Sequence, residues 1–380
     1  MEYDTRDGRP NEGHGLPVER NAKPVIHSHN TDEKDFDLLV FVGRFQPFHL
    51  EHKRIIDIAL ENSRNVLILV GSAGKARTIR NPFTFDERKH MIIDAVEDSN
   101  RLIIKPLYDK TYNDAAWIKQ VQTVVLDTAL DVANGFQSFQ ASGYNDVKVG
   151  LIGASKDNTS YYLKMFPQYK SVNVAIEADL HATGIRESFY ENKIIYSAAP
   201  LPGNVINWLN DFALTDEYES LRREYWFVKD YQEQWKAAPY PVKHATVDSV
   251  VEQSGHILLV KRKAEPGKGL WALPGGHLNE YEKQLDGAIR ELREETKIKV
   301  PEAVLRGSIR DHETFDDPYR STLGRVITKA YHFKLADDVT LPKVKGADDA
   351  IRAKWIPISE LREEDFFDDH FFIISYFLGL

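Results

Sequence analysis

Between residues 36 and 178 the chain reads as short apolar runs set between stretches of helical spacing. LLVFV at 38–42, NVLILV at 65–70, RLIIKPL at 101–107, VKVGLIG at 147–153 and VNVAIEA at 172–178 are largely apolar rather than alternating, which predicts strands buried on both faces. DERKHMIIDAVE at 86–97 and AAWIKQVQTVVLDTAL at 115–130 repeat their apolar positions three and four residues apart and predict helices. Such alternation predicts an α/β domain with a doubly wound parallel sheet, whose ligands gather at the carboxyl ends of the strands. The stretch GRFQPFHLEH at 43–52 stands at one of those ends, where a helix is expected to begin.

The grammar changes further on. After PLPGN at 200–204 a polar and aromatic helical stretch runs to about Trp235, and KAAPYP at 236–241 reads as a linker. TVDSVVEQSGHILLVKR then predicts two strands joined by a Ser-Gly turn, the mark of a mixed sheet in a second domain. Residues 1–35 are rich in Asn, Asp, Gly, Pro and charge and show no period, so a disordered extension is expected there. The expected partition is an extension over 1–35, a first domain over 36–205, a helical segment and linker over 206–241, and a mixed α/β/α domain over 242–380.

Composition narrows the chemistry. A length of 380 residues suits two to three domains, and a net charge of −9 disfavours nucleic acid as a partner. With no cysteine in the sequence, disulfides, thiolate metal sites and cysteine nucleophiles are excluded together. The opening is polar, and the apolar segment FFIISYFLGL covers only about half a bilayer, so a soluble, cytoplasmic protein without a membrane partner is expected. A homo-oligomer stays open.

His49 and His52, one turn apart at an expected helix start, could donate to phosphate oxygens, because such a start concentrates free N–H groups and positive dipole. Gly43 would let backbone approach a ligand. Two surface or capping histidines are the plainer alternative.

GRFQPFH resembles the signature of the nucleotidylyltransferase superfamily, in the form typical of nicotinamide-mononucleotide adenylyltransferases. GSAGKARTIRNPFTFDER (71–88), YNDAAWI (112–118), GASKDNTSYYLKMFP (153–167) and HATGIRESF (181–189) continue that family's pattern in order. The resemblance implies that the phosphate of nicotinamide mononucleotide attacks the α-phosphorus of ATP, with a divalent ion sharing the charge. It implies His49, His52 and Arg186 on the ATP phosphates, and Gly43, Arg44, Phe45, Gln46, Asn81, Lys156, Asp157 and Thr183 around the nucleotides. It further implies Arg80 on the mononucleotide phosphate and Trp117 stacked on the nicotinamide ring, the alternative for Trp117 being a core position. Where the family has glycine this chain has Glu51, whose carboxylate is expected to point outward and favour the first helical turn.

The stretch GGHLNEYEKQLDGAIRELREETKI at 275–298 is the sharpest feature. On a helix Glu291, Glu294 and Glu295 share one face, where like charges repel unless an oxygen-seeking cation, Mg²⁺ or Mn²⁺, draws them together. The alternative is a solvated acidic face. With Gly276, Glu282 and Arg290 at fixed spacing, the stretch is similar to the Nudix hydrolase box, its final glycine replaced by Lys297. A residue forced into left-handed geometry there costs about 1 kcal/mol. The resemblance implies metal-assisted attack of water on a nucleoside diphosphate, with Glu291, Glu294 and Glu295 on the metal and Arg290 orienting a carboxylate. The base is Glu295 itself or one of Glu313, Asp348 and Asp349 on separate loops.

Together the two resemblances match a bifunctional family of NAD metabolism that makes NAD from ATP and nicotinamide mononucleotide and cleaves ADP-ribose to AMP and ribose 5-phosphate. Two other readings remain: a non-catalytic NAD or ADP-ribose sensor acting on a partner, and an adenylyltransferase with a different acceptor.

Overall fold

The computed structural model describes residues 34–135, 147–154, 164–176, 180–192, 199–346 and 350–380. Lys156, Asp157, Asp348 and Asp349 lie outside these, as does the 1–33 stretch of the expected extension.

The first sheet is wholly parallel. Strands β1 (Phe36–Gly43), β2 (Ser63–Val70), β3 (Leu102–Pro106), β4 (Val149–Ala154) and β5 (Lys170–Val174) lie in the order β3-β2-β1-β4-β5. The chain winds outward from β1 to one edge and then crosses to its other side, so the switch point lies between β1 and β4, where ligands of such sheets bind. Strand β5 falls earlier than the expected 172–178, because the ladder with β4 pairs Gly150 through Ala154 with Lys170 through Val174.

Solid apolar runs follow from burial on both faces. Leu39, Phe41, Val66 and Ile68 pack toward α1 (Leu50–Asn62), α2 (Phe85–Ala95) and α4 (Ala182–Asn192), while Leu38, Val40, Leu67 and Leu69 pack toward α3 (Asp114–Gly135). Two further helices, α5 (Gly203–Phe212) and α6 (Asp216–Trp235), close the first face with Val205, Leu209, Phe212, Tyr218 and Leu221. Their apolar side chains thus belong to the first core.

The second sheet is mixed, with seven strands: β6 (Lys243–Gln253), β7 (His256–Arg262), β8 (Trp271–Ala272), β9 (Gly275–His277), β10 (Ile309–Phe315), β11 (Arg325–Lys334) and β12 (Ala350–Pro357). Its spine runs β10-β11-β6-β7-β12, with β11 and β6 parallel, and β8 and β9 pair with β7 and β6. Val247, Val251 and Leu258 meet α7 (Gln284–Thr296), with α8 (Glu302–Gly307) at its edge, and Val250, Ile257 and Leu259 meet α9 (His370–Leu378) on the other face. Among the described residues no helix is long and apolar enough to cross a membrane.

Candidate active sites

After β1 the chain turns through residues 44–48 into α1. A Cβ on Gly43 would stand 2.7 Å from the Phe45 ring, so the glycine makes room for that ring. Phe45, in left-handed geometry with φ 52, is buried among Phe41, Phe48 and His52. Gln46 is buried too, and its amide exchanges two hydrogen bonds with the backbone of Phe83, at 2.8 and 3.0 Å. The side chains of Phe45 and Gln46 are thus engaged in holding the turn, which leaves the backbone of 43–46 as their route to a nucleotide.

His49 caps α1. Its Nδ1 accepts the His52 amide at 3.4 Å, and the Nδ1 of His52 accepts the His49 amide at the same distance. This is a capping box in which imidazoles replace the hydroxyl and carboxylate. The rings stack 3.5 Å apart. With both Nδ1 atoms accepting, each neutral ring carries its proton on Nε2. Burial, and then the neighbouring His49, hold the His52 imidazole well below its usual pKa, so the His52 ring is a neutral donor at pH 7. The Leu50 amide goes to the Pro200 carbonyl at 3.1 Å, which makes this helix end less open to an anion than a bare terminus.

Glu51 does not point into solvent. It is 8% exposed, and Arg54, one turn on, meets both its oxygens at 2.6 and 3.1 Å while also donating to the Ala175 carbonyl. The outward expectation fails because a guanidinium within reach makes burial tolerable.

A cavity of about 980 Å³ collects Arg44, Arg80, Asn81, Thr183 and Arg186. His49, His52, Gly43 and Trp117 are not among its lining residues. Arg186 is buried, donates to the Gln46 carbonyl at 2.7 Å and to Thr183 Oγ1 at 3.2 Å, and is lowered by burial to a pKa of about 10. Asn81 Oδ1 is buried without a hydrogen-bond partner, an acceptor left for something else to satisfy. Trp117 is half-buried against Phe166, with ring centroids 6.1 Å apart, in the second core layer.

In the other domain β9 runs antiparallel to β6 and faces α7. A Cβ on Gly276 would lie 2.7 Å from Glu291 Oε1, and one on Gly275 would strike the Val247 carbonyl at 2.2 Å. Both glycines let strand and helix approach. Glu295, buried, accepts the Gly275 amide at 3.0 Å on Oε2. Burial raises its pKa to about 8, the Gly275 amide opposes that, and the charges of Glu291 and Asp248 add to it. Glu291 is also raised, chiefly by burial. Arg290 takes Glu282 with two nitrogens and reaches Glu291 at 2.8 Å, Glu294 at 3.0 Å and the His277 carbonyl at 3.2 Å. Lys297 ends α7 at φ 48, ψ 32, the left-handed cap anticipated for it.

Two family models match the chain: a cytidylyltransferase-like model over residues 40–149 and a NUDIX domain over 242–375. The nicotinamide/nicotinic acid mononucleotide adenylyltransferase of Acinetobacter baylyi is 40% identical over 193 residues, which is 50% of this chain and 94% of that protein. The bifunctional NMN adenylyltransferase/ADP ribose pyrophosphatase of Francisella tularensis, solved with AMP and a manganese ion, superposes with a TM-score of 0.82 at 35% identity. The match covers 90% of this chain and 99% of that one. The chain belongs to this bifunctional adenylyltransferase–Nudix family.

Nudix hydrolases work with a divalent metal. The donor set here suits a hard cation, since Glu291 and Glu295 are carboxylates whose charge burial disfavours, with the charge of Glu291 adding to that at Glu295. No three acidic or imidazole side chains surround a common point among the described residues, because Glu291 and Glu294 rest on Arg290 and Glu295 on Gly275. Asp248, buried and accepting from Thr328 Oγ1 at 2.6 Å, is an acid beside Glu295 that motif spacing did not single out. Its only trace in the sequence is an acidic residue inside the apolar run of β6. Glu313 lies on β10, partly exposed.

The 980 Å³ cavity also draws on the second domain. Asp317, Tyr319, Arg320, Asp368 and Asp369, all from the Nudix domain, line it together with the transferase arginines. Arg88 supports the same wall: buried, it donates to the carbonyls of Arg44, Gly71 and Ser72, and burial lowers its pKa to about 10.

Proposed function

We propose that the protein transfers the adenylyl group of ATP to nicotinamide mononucleotide, giving NAD and pyrophosphate, and hydrolyses ADP-ribose to AMP and ribose 5-phosphate. The observation that carries this reading is likeness over 90% of the chain to one enzyme with both activities, at 35% identity.

In the transfer, a phosphate oxygen of the mononucleotide bonds to the α-phosphorus of ATP as the bond to pyrophosphate breaks. No covalent nucleophile is needed, only alignment and charge stabilisation. Arg186 is fixed by the Gln46 carbonyl and Thr183, so its charge stands in the cavity with little left to reorganise. Arg44 and Arg80 add positive charge in the same cavity, and Asn81 Oδ1 supplies an acceptor for a hydroxyl or amide of a nucleotide. The Nε2–H of His52 would reach phosphate as a neutral donor, with the His49 ring stacked beside it.

In the hydrolysis, water attacks a phosphorus of the diphosphate. Glu291 and Glu295 would hold Mg²⁺ or Mn²⁺, with Glu294 within the same helical turn, and the bound ion supplies charge neutralisation and a more acidic water. Arg290 keeps Glu291 and Glu294 aligned, Gly275 orients Glu295, and Glu313 serves as the candidate base on a separate strand.

A second acceptor follows from the Acinetobacter relative, whose name covers nicotinic acid mononucleotide as well. A cavity with Arg44, Arg80 and Arg186 suits an extra carboxylate. The test is product identification: ATP with either mononucleotide and Mg²⁺, and separately ADP-ribose with Mg²⁺ or Mn²⁺. Absence of NAD formation, or of AMP from ADP-ribose, would falsify the corresponding half.

A further inference from the structure

We propose that the β10–β11 loop of the Nudix domain is a working wall of the adenylyl-transfer cavity, and that Arg320 is a positioning residue which, through this loop, sets the geometry of Arg80. The proposal rests on the reading of Arg80 as the group that meets the mononucleotide phosphate.

The Arg80 guanidinium donates to the Tyr319 carbonyl at 2.6 Å and to the Ser321 carbonyl at 2.8 Å. Those carbonyls flank Arg320, whose own side chain is 5% exposed and forms a two-armed pair with Asp369, itself 4% exposed, at 2.9 Å on each arm. The Tyr112 hydroxyl, from the transferase domain, also donates to Asp369. The loop is therefore anchored from both domains, and its shape at 319 and 321 depends on the residue between them. Backbone carbonyls orient a guanidinium without cancelling its charge, and a guanidinium has five N–H donors, so Arg80 keeps donors for a phosphate. A phosphomonoester needs its cation in one place. Arg320 supplies that from across the domain boundary, in the way outer hydrogen-bonding partners orient the groups that touch substrate.

The experiment measures steady-state adenylyl transfer by the full chain with Mg²⁺, ATP and nicotinamide mononucleotide, in wild type, Arg80→Ala, Arg320→Ala, Arg320→Lys and the double Arg80→Ala/Arg320→Ala variant. Expected are a 5–20-fold rise in the mononucleotide KM for Arg80→Ala and for Arg320→Ala, with kcat within about threefold and the ATP KM unchanged. The double variant should be no worse than Arg80→Ala alone, and Arg320→Lys, which keeps a charge for Asp369, should recover part of the loss. A merely structural role would lower the active fraction, hence kcat, without moving one KM selectively. If Arg80→Ala raises the KM while both Arg320 variants stay within twofold of wild type, the positioning role is overturned and the reading of Arg80 stands. If Arg80→Ala itself leaves the KM unmoved, that reading falls and takes the proposal with it. Should Arg320→Ala not fold, Arg320→Lys decides alone: a selectively raised KM supports the proposal, and a KM within twofold overturns it.

Discussion

Arg290 meets both oxygens of Glu282, at 2.7 and 2.8 Å, and turns its remaining arm to Glu291 and Glu294. One guanidinium thus sets the direction of the carboxylates that a metal would need, although it need not touch substrate. A lysine cannot span that fork. Arg290→Lys is expected to reduce ADP-ribose hydrolysis by roughly 10- to 100-fold, the usual effect of removing a group that orients metal ligands. AMP release at varied Mn²⁺ reads it, and adenylyl transfer by the same preparation should stay at the wild-type rate.

Glu51 and Arg54 form the second pair to separate. Paired with Arg54, Glu51 is expected to be harmless near the proposed phosphate position, whereas Arg54→Ala leaves a buried carboxylate without that guanidinium. Arg54→Ala should raise the ATP KM by roughly 3- to 10-fold, and adding Glu51→Gly should restore most of it, a cycle that isolates the coupling. Equal KM values in all three proteins would show that the pair stands too far from ATP to matter.

Glu224 on α6 accepts the Ile79 amide at 3.3 Å and the Gly267 amide at 3.5 Å, joining the two domains. Burial raises its pKa to about 7, against about 4.3 for an unfolded chain. Between those values the folded state holds a proton that the unfolded state has lost, so this group makes stability fall as pH rises from about 4.3 to 7. Glu224→Gln removes that slope. Relative to wild type, the variant should gain on the order of 3 kcal/mol between pH 4.5 and 8 in denaturant titrations. A difference that does not change with pH would refute it.

Lys297 ends α7 in the left-handed region, where glycine has no steric penalty. Lys297→Gly is expected to raise stability by roughly 0.5–1 kcal/mol with hydrolysis unchanged. Thermal melting alongside AMP release checks both halves of the statement.

Much of this architecture is local enough to be read from the chain. Parallel strands covered on both faces must be apolar throughout, so LLVFV and NVLILV announce themselves, and the Gly276–Glu282–Arg290–Glu291 relation needs only the pitch of α7 and one preceding turn. What escaped depends on partners far along the sequence. Arg80 with Tyr319 and Tyr112 with Asp369 join residues more than two hundred positions apart, and no periodicity records such a meeting. The packing of Trp117 against Phe166 is another such contact, made by a half-buried ring with a partner 49 positions away. The burial of Glu51 hangs on an arginine one turn away whose reach, not whose presence, is what counts.

The reciprocal imidazole cap on α1 bears on how the enzyme meets acid. Each ring needs its Nδ1 lone pair to receive an amide, so a proton arriving there would displace the helix's first turn as well as charge the ring. The lowered pKa of His52 is the thermodynamic face of this: the neutral ring favours the fold, and that advantage drains away once the medium drops below the ordinary imidazole range. The folded ring itself stays neutral through mildly acidic medium, and the cap with the start of the first helix is expected to give way only at markedly acid pH.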